Sequence, residues 1–205
     1  MIISDELGKL KTRWEEVCPQ KLSEIDTQIL LIEPVLEIAE WNLLEHAQAK
    51  RASRNPRAQE FDIETYASPD LLTFAIECKA LNNHWFNIDK LQSKGVGRLE
   101  QDSEGKWFHD YRKCDGVGQL RAYCMNYKHF CKERSVAILT DGYDWVIFNT
   151  QVFTSQLTSS ITKAAIVAHA NLSDSKFKEI IIDKLWLPRQ QQAKIAVSCP
   201  QGPDT

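Results

Sequence analysis

No stretch of the chain approaches the ~18 or more apolar residues that a membrane-spanning helix needs. The opening "MIISDELGKLKTRW" has no long apolar core behind basic residues, so no secretory leader is expected and a cytoplasmic location is. There is no CxxC pair. Cys18, Cys78, Cys114, Cys124, Cys131 and Cys199 form no even framework, which points to reduced thiols rather than to a disulfide scaffold. Charge of neither sign dominates: 25 Lys and Arg stand against 28 Asp and Glu, a formal net charge of -3. Nothing therefore draws the whole molecule toward nucleic acid or membrane, and any polyanion site must be local. No internal repeat is present, and low complexity is confined to Gln190–Gln192.

What is present is ordinary for a folded protein: 43% hydrophobic and 26% charged residues over a length of 205. We expect one domain over residues 1–188, with a core at about 22–150, a C-terminal helical extension at about 151–188, and a polar, mobile tail at 189–205. His109, Cys114, Cys124, His129 and Cys131 crowd one region, which raises zinc. Their spacing lacks the tight ligand pair at each end that structural zinc sites show, and zinc is not expected.

Apolar residues at helical spacing, Leu22, Ile25, Ile29, Ile32 and Leu36, predict a second helix after a first in "ELGKLKTRWEEV", with a kink or restart at Pro34. "WNLLEHAQ" is read as a first strand and "KRASRNPRAQ" as a basic loop. A β-hairpin is expected from two runs, 60–67 and 71–80, joined by Ser-Pro-Asp, and a second, exposed hairpin turns at 102–105. "GVGQLRAYCMNYKHFCKE" predicts a helix after its glycines, "SVAILT" and "DWVIFNT" two strands about Asp141-Gly142, and "SDSKFKEIIIDKLWL" a last helix. The fold class is α/β.

The third strand carries the chemistry. In "FAIECKALN" a nearly apolar run ends in Glu77, Cys78 and Lys79, so Glu77 and Lys79 share one face while Cys78 faces the other. Across the hairpin Asp62 falls level with Glu77 or one step away. Two carboxylates and a lysine then converge. Hard divalent cations such as Mg2+ bind through one or two carboxylates plus substrate phosphate oxygens, and a neighbouring ammonium stabilises a charged phosphoryl transition state. An exposed ion pair is the plainer reading, worth ~0–1 kcal/mol. A second Glu-x-Lys, at Glu104 and Lys106, has no apolar run before it and reads as a solvated turn. In "GQLRAY", Gln119 and Tyr123 stack at i and i+4 on one helix face, where both side chains reach a phosphate or a water.

Asp62 in "FDIETY", Glu77-x-Lys79 after an apolar strand, and Gln119-x-x-x-Tyr123 on the next helix together resemble the PD-(D/E)XK nuclease superfamily. More closely, the chain is similar to the N-terminal nuclease domain of type I restriction enzyme R subunits: "SEIDTQILLIEPVLEIAEWN" resembles its opening helix and turn, and "SVAILTDGYDWVIFNT" its later strand pair. The likeness spans roughly residues 22–150. It implies a restriction-endonuclease-like core, a mixed central sheet flanked by helices, and Mg2+-dependent cleavage of DNA, with Mn2+ as a substitute, in restriction or antiviral defence. By that resemblance Asp62 and Glu77 hold the metal, Glu24 supports it, Lys79 is the catalytic lysine, and Gln119 and Tyr123 position the scissile strand or a water.

Two departures matter. Ala39-Glu40-Trp41-Asn42 replaces the family's glycine turn, and no Gly-rich loop with Lys-Ser/Thr occurs within these 205 residues, so no helicase motor is expected in them. Targeting then falls to a separately encoded partner or motor, to self-assembly, or to the chain's own specificity, and a homodimer is expected if both strands of a duplex are cut. Lys50, Arg51, Arg54 and Arg57 before the Asp62 strand, and Lys90, Lys94 and Arg98 after Lys79, are the expected nucleic-acid contacts. "NNHWFNIDK" offers aromatics for stacking or core capping, and His84 and His109 are candidate bases without a spacing that requires it. Two alternatives stand beside the DNA nuclease: a catalytically silent nucleic-acid-binding or partner-regulating module, and an RNA-cleaving, toxin-type nuclease.

Overall fold

The computed structural model of the chain describes residues 3–44, 49–51, 62–68, 71–81, 97–108, 116–127, 130, 135–155 and 163–186. At its centre is a six-stranded mixed sheet in the order β1 (Ala49–Arg51), β2 (Ile63–Ser68), β3 (Leu71–Cys78), β6 (Val136–Thr140), β7 (Asp144–Phe148) and β8 (Ile166–Asn171). β3 and β6 run parallel, with Glu77 opposite Leu139, and every other neighbouring pair is antiparallel. β4 (Glu100–Gln101) and β5 (Trp107–Phe108) form a separate ribbon. Asp102 Oδ1 closes its turn by accepting the N–H groups of Glu104 and Lys106, with Gly105 at φ 80°.

From Leu72 to Cys78 β3 is buried, as a central strand covered on both faces must be. Phe74, Ile76 and Cys78 face one apolar layer, in which Leu10, Leu31, Leu36, Phe177 and Ile181 pack with Trp145 and Ile147. That layer holds α1 (Ile3–Val17), α2 (Glu24–Thr27), α3 (Glu33–Ile38) and the C-terminal helix containing Lys178–Ile182. Ala75 faces the other layer, where Val117, Leu120 and Cys124 of α4 (Gly116–Asn126) and Phe153 of α5 (Thr150–Phe153) cover Ala137, Leu139, Val146 and Phe148.

The kink expected at Pro34 takes a specific form. Residues Gln28–Ile32 between α2 and α3 are a π-helical turn, in which Glu33 donates its N–H to Gln28 O. The widened turn lies just ahead of Pro34 in the first turn of α3, where a missing N–H costs nothing. α3 then ends in a Schellman motif: Glu40 N–H donates to Glu37 O at 2.9 Å and Trp41 N–H to Leu36 O at 3.0 Å. Glu40 adopts φ 65°, so the turn that glycine usually serves is kept with a side chain in the left-handed region.

Two expectations are corrected. Trp41–Leu44 form no strand, because Trp41 and Leu43 are drawn into the helical layer, where Trp41 Nε1 donates to Leu185 O at 3.0 Å. The first strand instead lies at Ala49–Arg51, its last two residues in the segment read as a loop. Nor is the stretch after residue 150 wholly helical: Ile166–Asn171 pairs with β7 as the sixth strand, turning Ala168 and Ala170 inward and leaving Val167 exposed. Strand alternation in "IVAHAN" outweighs the helical reading there. The predicted helix from residue 116 ends at Asn126, and the tail at 189–205 lies outside the described residues. Among the described residues no helix is long and apolar enough to cross a membrane.

Candidate active site

The sheet register brings the two carboxylates together. Ile63 pairs with Ile76, so Asp62, one residue before β2, arrives opposite Glu77. Asp62 Oδ2 accepts the Cys78 backbone N–H at 2.6 Å, while the Cys78 side chain lies buried in the opposite layer. Just beyond β3, Lys79 N–H donates to Thr140 O at 2.8 Å and extends the parallel ladder by one bond. Leu81 N–H donates to Thr27 Oγ1 at 2.9 Å, tying the same segment to α2. The lysine backbone is fixed from both sides.

Its side chain is fixed as well. Lys79 Nζ donates to Glu77 Oε1 at 2.6 Å and to Gln119 Oε1 at 3.2 Å, and lies 3.5 Å from Glu24 Oε2. Gln119 Nε2 in turn donates to Tyr123 OH at 2.8 Å, one turn further along α4. Gly116 makes room for the lysine stem: a Cβ there would fall 2.9 Å from Lys79 Cε and 3.2 Å from Leu139 Cδ1. The lysine and Glu77 are buried, whereas the Glu24 side chain is 45% exposed and forms the open side of the cluster.

Burial dominates the electrostatics. It pushes the Glu77 carboxyl well above its ordinary range; the Lys79 charge offsets this in part and the Asp62 charge adds to it. Asp62 is raised to about 6 by the same loss of solvent, although the Cys78 N–H and Lys79 both pull it down. For Lys79, burial acts to lower the pKa, but Glu77, Glu24 and Asp62 outweigh it and the ammonium is held charged. Tyr123 is raised by burial and then by the charge of Glu77.

Glu77 Oε2 is buried and has no hydrogen-bond partner. A buried acceptor left unpaired costs on the order of 1–3 kcal/mol, and a carboxylate oxygen beside a second carboxylate suits a hard cation. The donor set is small. Among the described residues no group of three or more His, Cys, Asp or Glu is arranged to hold a metal. Asp62 and Glu77 are the residues that would hold one, with Glu24 on the rim.

The basic residues divide three ways. Arg51 is engaged with buried Glu33 through Nε–Oε1 at 2.7 Å and Nη2–Oε2 at 2.6 Å, an anchor of β1 on α3. Lys50 lies in β1 opposite Glu64, and Arg98 is exposed. Arg54, Arg57, Lys90, Lys94, His84 and His109 lie outside the described residues.

No family model, no curated protein and no solved structure matches the chain. The site is therefore read from its own geometry, which also contains residues that sequence reasoning passed over. Glu64 is buried beside the site on the same face of β2 as Asp62, and its Oε2 accepts the hydroxyls of Tyr66 and Tyr127, the latter at 2.9 Å. The signal was available: Glu64 and Tyr66 follow Asp62 at strand spacing, and Tyr127 continues Gln119 and Tyr123 at helical spacing. Arg121 gave no such signal, since arginine is almost never fully buried. It is fully buried here, donating Nε to Phe153 O at 2.7 Å, Nη2 to Ser155 O at 2.8 Å, and Nη1 to Gly97 O. These bonds fix α4 against the end of α5 and against the segment at Gly97.

Proposed function

We propose that the chain is a metal-dependent endonuclease with a restriction-endonuclease-like fold, hydrolysing DNA phosphodiester bonds in restriction or antiviral defence. The observation that carries the reading is the buried Glu77–Lys79 pair with Asp62 alongside and one Glu77 oxygen unpaired. Burying opposite charges costs several kcal/mol per ion, so a pair retained at a strand end is better explained by use than by stability.

Bound by Asp62 and Glu77, Mg2+ or Mn2+ supplies Lewis acidity at a phosphoryl oxygen and lowers the pKa of a water. The chain's own groups do the rest. Lys79 Nζ places a full positive charge where the phosphoryl group gains negative charge, in a site whose burial strengthens that interaction. Gln119 braces the ammonium through Oε1 and is itself braced by Tyr123, so the lysine is oriented before substrate arrives. Glu24, partly exposed, borders the entrance.

The test is incubation of the purified chain with supercoiled plasmid, linear duplex, single-stranded DNA and RNA in Mg2+ or Mn2+. Cleavage abolished by EDTA and by Asp62→Ala is the expected result, and the preferred substrate separates DNA from RNA chemistry. A second reading, a binding module without catalysis, is favoured by the ion pairing of Lys79 and by the small donor set among the described residues. Tight binding unaltered by Asp62→Ala, with no cleavage of any substrate, would establish it instead.

A further inference from the structure

We propose that the Lys79 ammonium is the resident cation of this carboxylate set and that a divalent cation enters in competition with it, so that metal binding is completed only when a substrate phosphate draws the ammonium from Glu77. The inference rests on the reading of Asp62 and Glu77 as metal ligands and adds how their loading is regulated.

An ammonium has three N–H donors and no acceptor. Lys79 has three oxygens around it, each from a different element: Glu77 Oε1 at 2.6 Å from β3, Gln119 Oε1 at 3.2 Å from α4 and Glu24 Oε2 at 3.5 Å from α2. The group is coordinated much as a bound ion would be. What it leaves for a second cation is meagre. Glu77 Oε1 already accepts from Lys79 and Asp62 Oδ2 from the Cys78 N–H, which leaves Glu77 Oε2 as the buried oxygen without a partner. Mg2+ demands near-octahedral oxygen coordination, and any dication at Glu77 Oε2 would stand beside a positive charge with little water between them.

A phosphate changes both terms. Its oxygens add ligands for the metal and accept hydrogen bonds from the ammonium, which can then give up Glu77. The stem of Lys79 is confined where it passes Gly116, so the displacement falls on the terminal ammonium.

The experiment is binding of Mn2+ alone at pH 8, followed by the electron paramagnetic resonance of the free ion. Wild type, Lys79→Met, Lys79→Gln and Glu77→Gln are compared, each checked for fold by circular dichroism. Lys79→Gln keeps an N–H donor for Glu77 and suffices if the methionine variant does not fold. Both lysine variants should bind Mn2+ tighter than wild type by about tenfold or more, since a like charge has been removed from the site. Adding Glu77→Gln to Lys79→Gln should abolish the gain. Lysine variants that bind no tighter than wild type, while Glu77→Gln still weakens wild-type binding, overturn the competition and leave the metal reading intact. Absence of Mn2+ binding in every variant overturns both.

Discussion

Gly116→Ala tests how closely Lys79 is confined. Positive φ among the described glycines occurs at Gly97, Gly105 and Gly142, so the backbone of Gly116 accepts alanine and the whole penalty is steric. The added methyl would meet Lys79 Cε at 2.9 Å and Leu139 Cδ1 at 3.2 Å, where relaxed carbon contacts lie at about 3.5–4.0 Å. A free lysine would swing aside. This one is pinned at Nζ by Glu77 and Gln119, so its stem must move by several tenths of an ångström or the helix start must shift. Overpacking costs about 1–3 kcal/mol, against a gain of up to about 1 kcal/mol for alanine over glycine in a helix. The balance is a loss of about 1 kcal/mol, or roughly 3 °C in Tm for a chain of this size.

Gly8→Ala is the matched control. Gly8 lies exposed on α1 with nothing within 4 Å of its missing Cβ, so the same substitution should raise Tm by about 2 °C. Thermal melts followed by fluorescence read both. Cleavage by Gly116→Ala should fall by about tenfold, because a misplacement near 1 Å costs on the order of a hundredfold. If Gly116→Ala melts as high as Gly8→Ala and retains full activity, the lysine stem is not confined.

Glu40→Gly should raise Tm by about 2–4 °C, because it relieves a left-handed conformation that costs a side chain about 1 kcal/mol. Arg51→Ala should cost about 1 kcal/mol in denaturant melts, a modest sum because the guanidinium is about half exposed, and should leave the salt dependence of nucleic-acid binding unchanged. The buried carboxyl of Asp141 is raised by burial to about 7 from 3.8, against backbone N–H donors that pull it down. An acid with its folded pKa raised costs stability once ionised, so the penalty is absent below about pH 4, grows through the interval to about pH 7 and is then complete, at about 4 kcal/mol at most. Asp141→Asn should therefore gain on wild type as pH rises from 4 to 8; parallel melting curves across that range would contradict the assignment.

Strand spacing made Glu77, Lys79 and Asp62 legible because a period of two leaves little choice of face once a neighbouring core is apolar. Gln119 and Tyr123 were legible for the same reason at a period of 3.6. The misread strands show where pattern loses to context. "WNLL" has strand composition, but the Schellman turn before it aims Trp41 at Leu185, 144 residues away in sequence, and no local rule contains that contact. "IVAHAN" alternates as a strand, yet its identity depends on β7 being free to pair on that edge. Arg51 is expected as a phosphate contact from its basic neighbours in sequence, and the structure adds a partner that no local rule contains, Glu33, 18 residues away on a helix.

The placement of the site follows from the one parallel junction among the described strands. A parallel pair needs a crossover, and the crossover from β3 to β6 includes α4. The chain leaves β3 at Cys78, so Lys79 comes at the carboxyl end of the pair, the edge at which open α/β sheets characteristically present their binding crevices. α4 starts against that same edge: Gly116 touches the Lys79 stem, and Gln119, one turn on, reaches its ammonium. The antiparallel hairpin supplies Asp62 because β2 begins where β3 ends. α2 supplies Glu24 because Thr27 is bonded to Leu81, two residues beyond Lys79. Three separate connections thus deliver polar groups to a single strand end, which explains how a chain with no net basic character concentrates charged chemistry there. Moving the β2–β3 register by one residue would turn Asp62 to the opposite face and dissolve the carboxylate pair without altering a single residue of it.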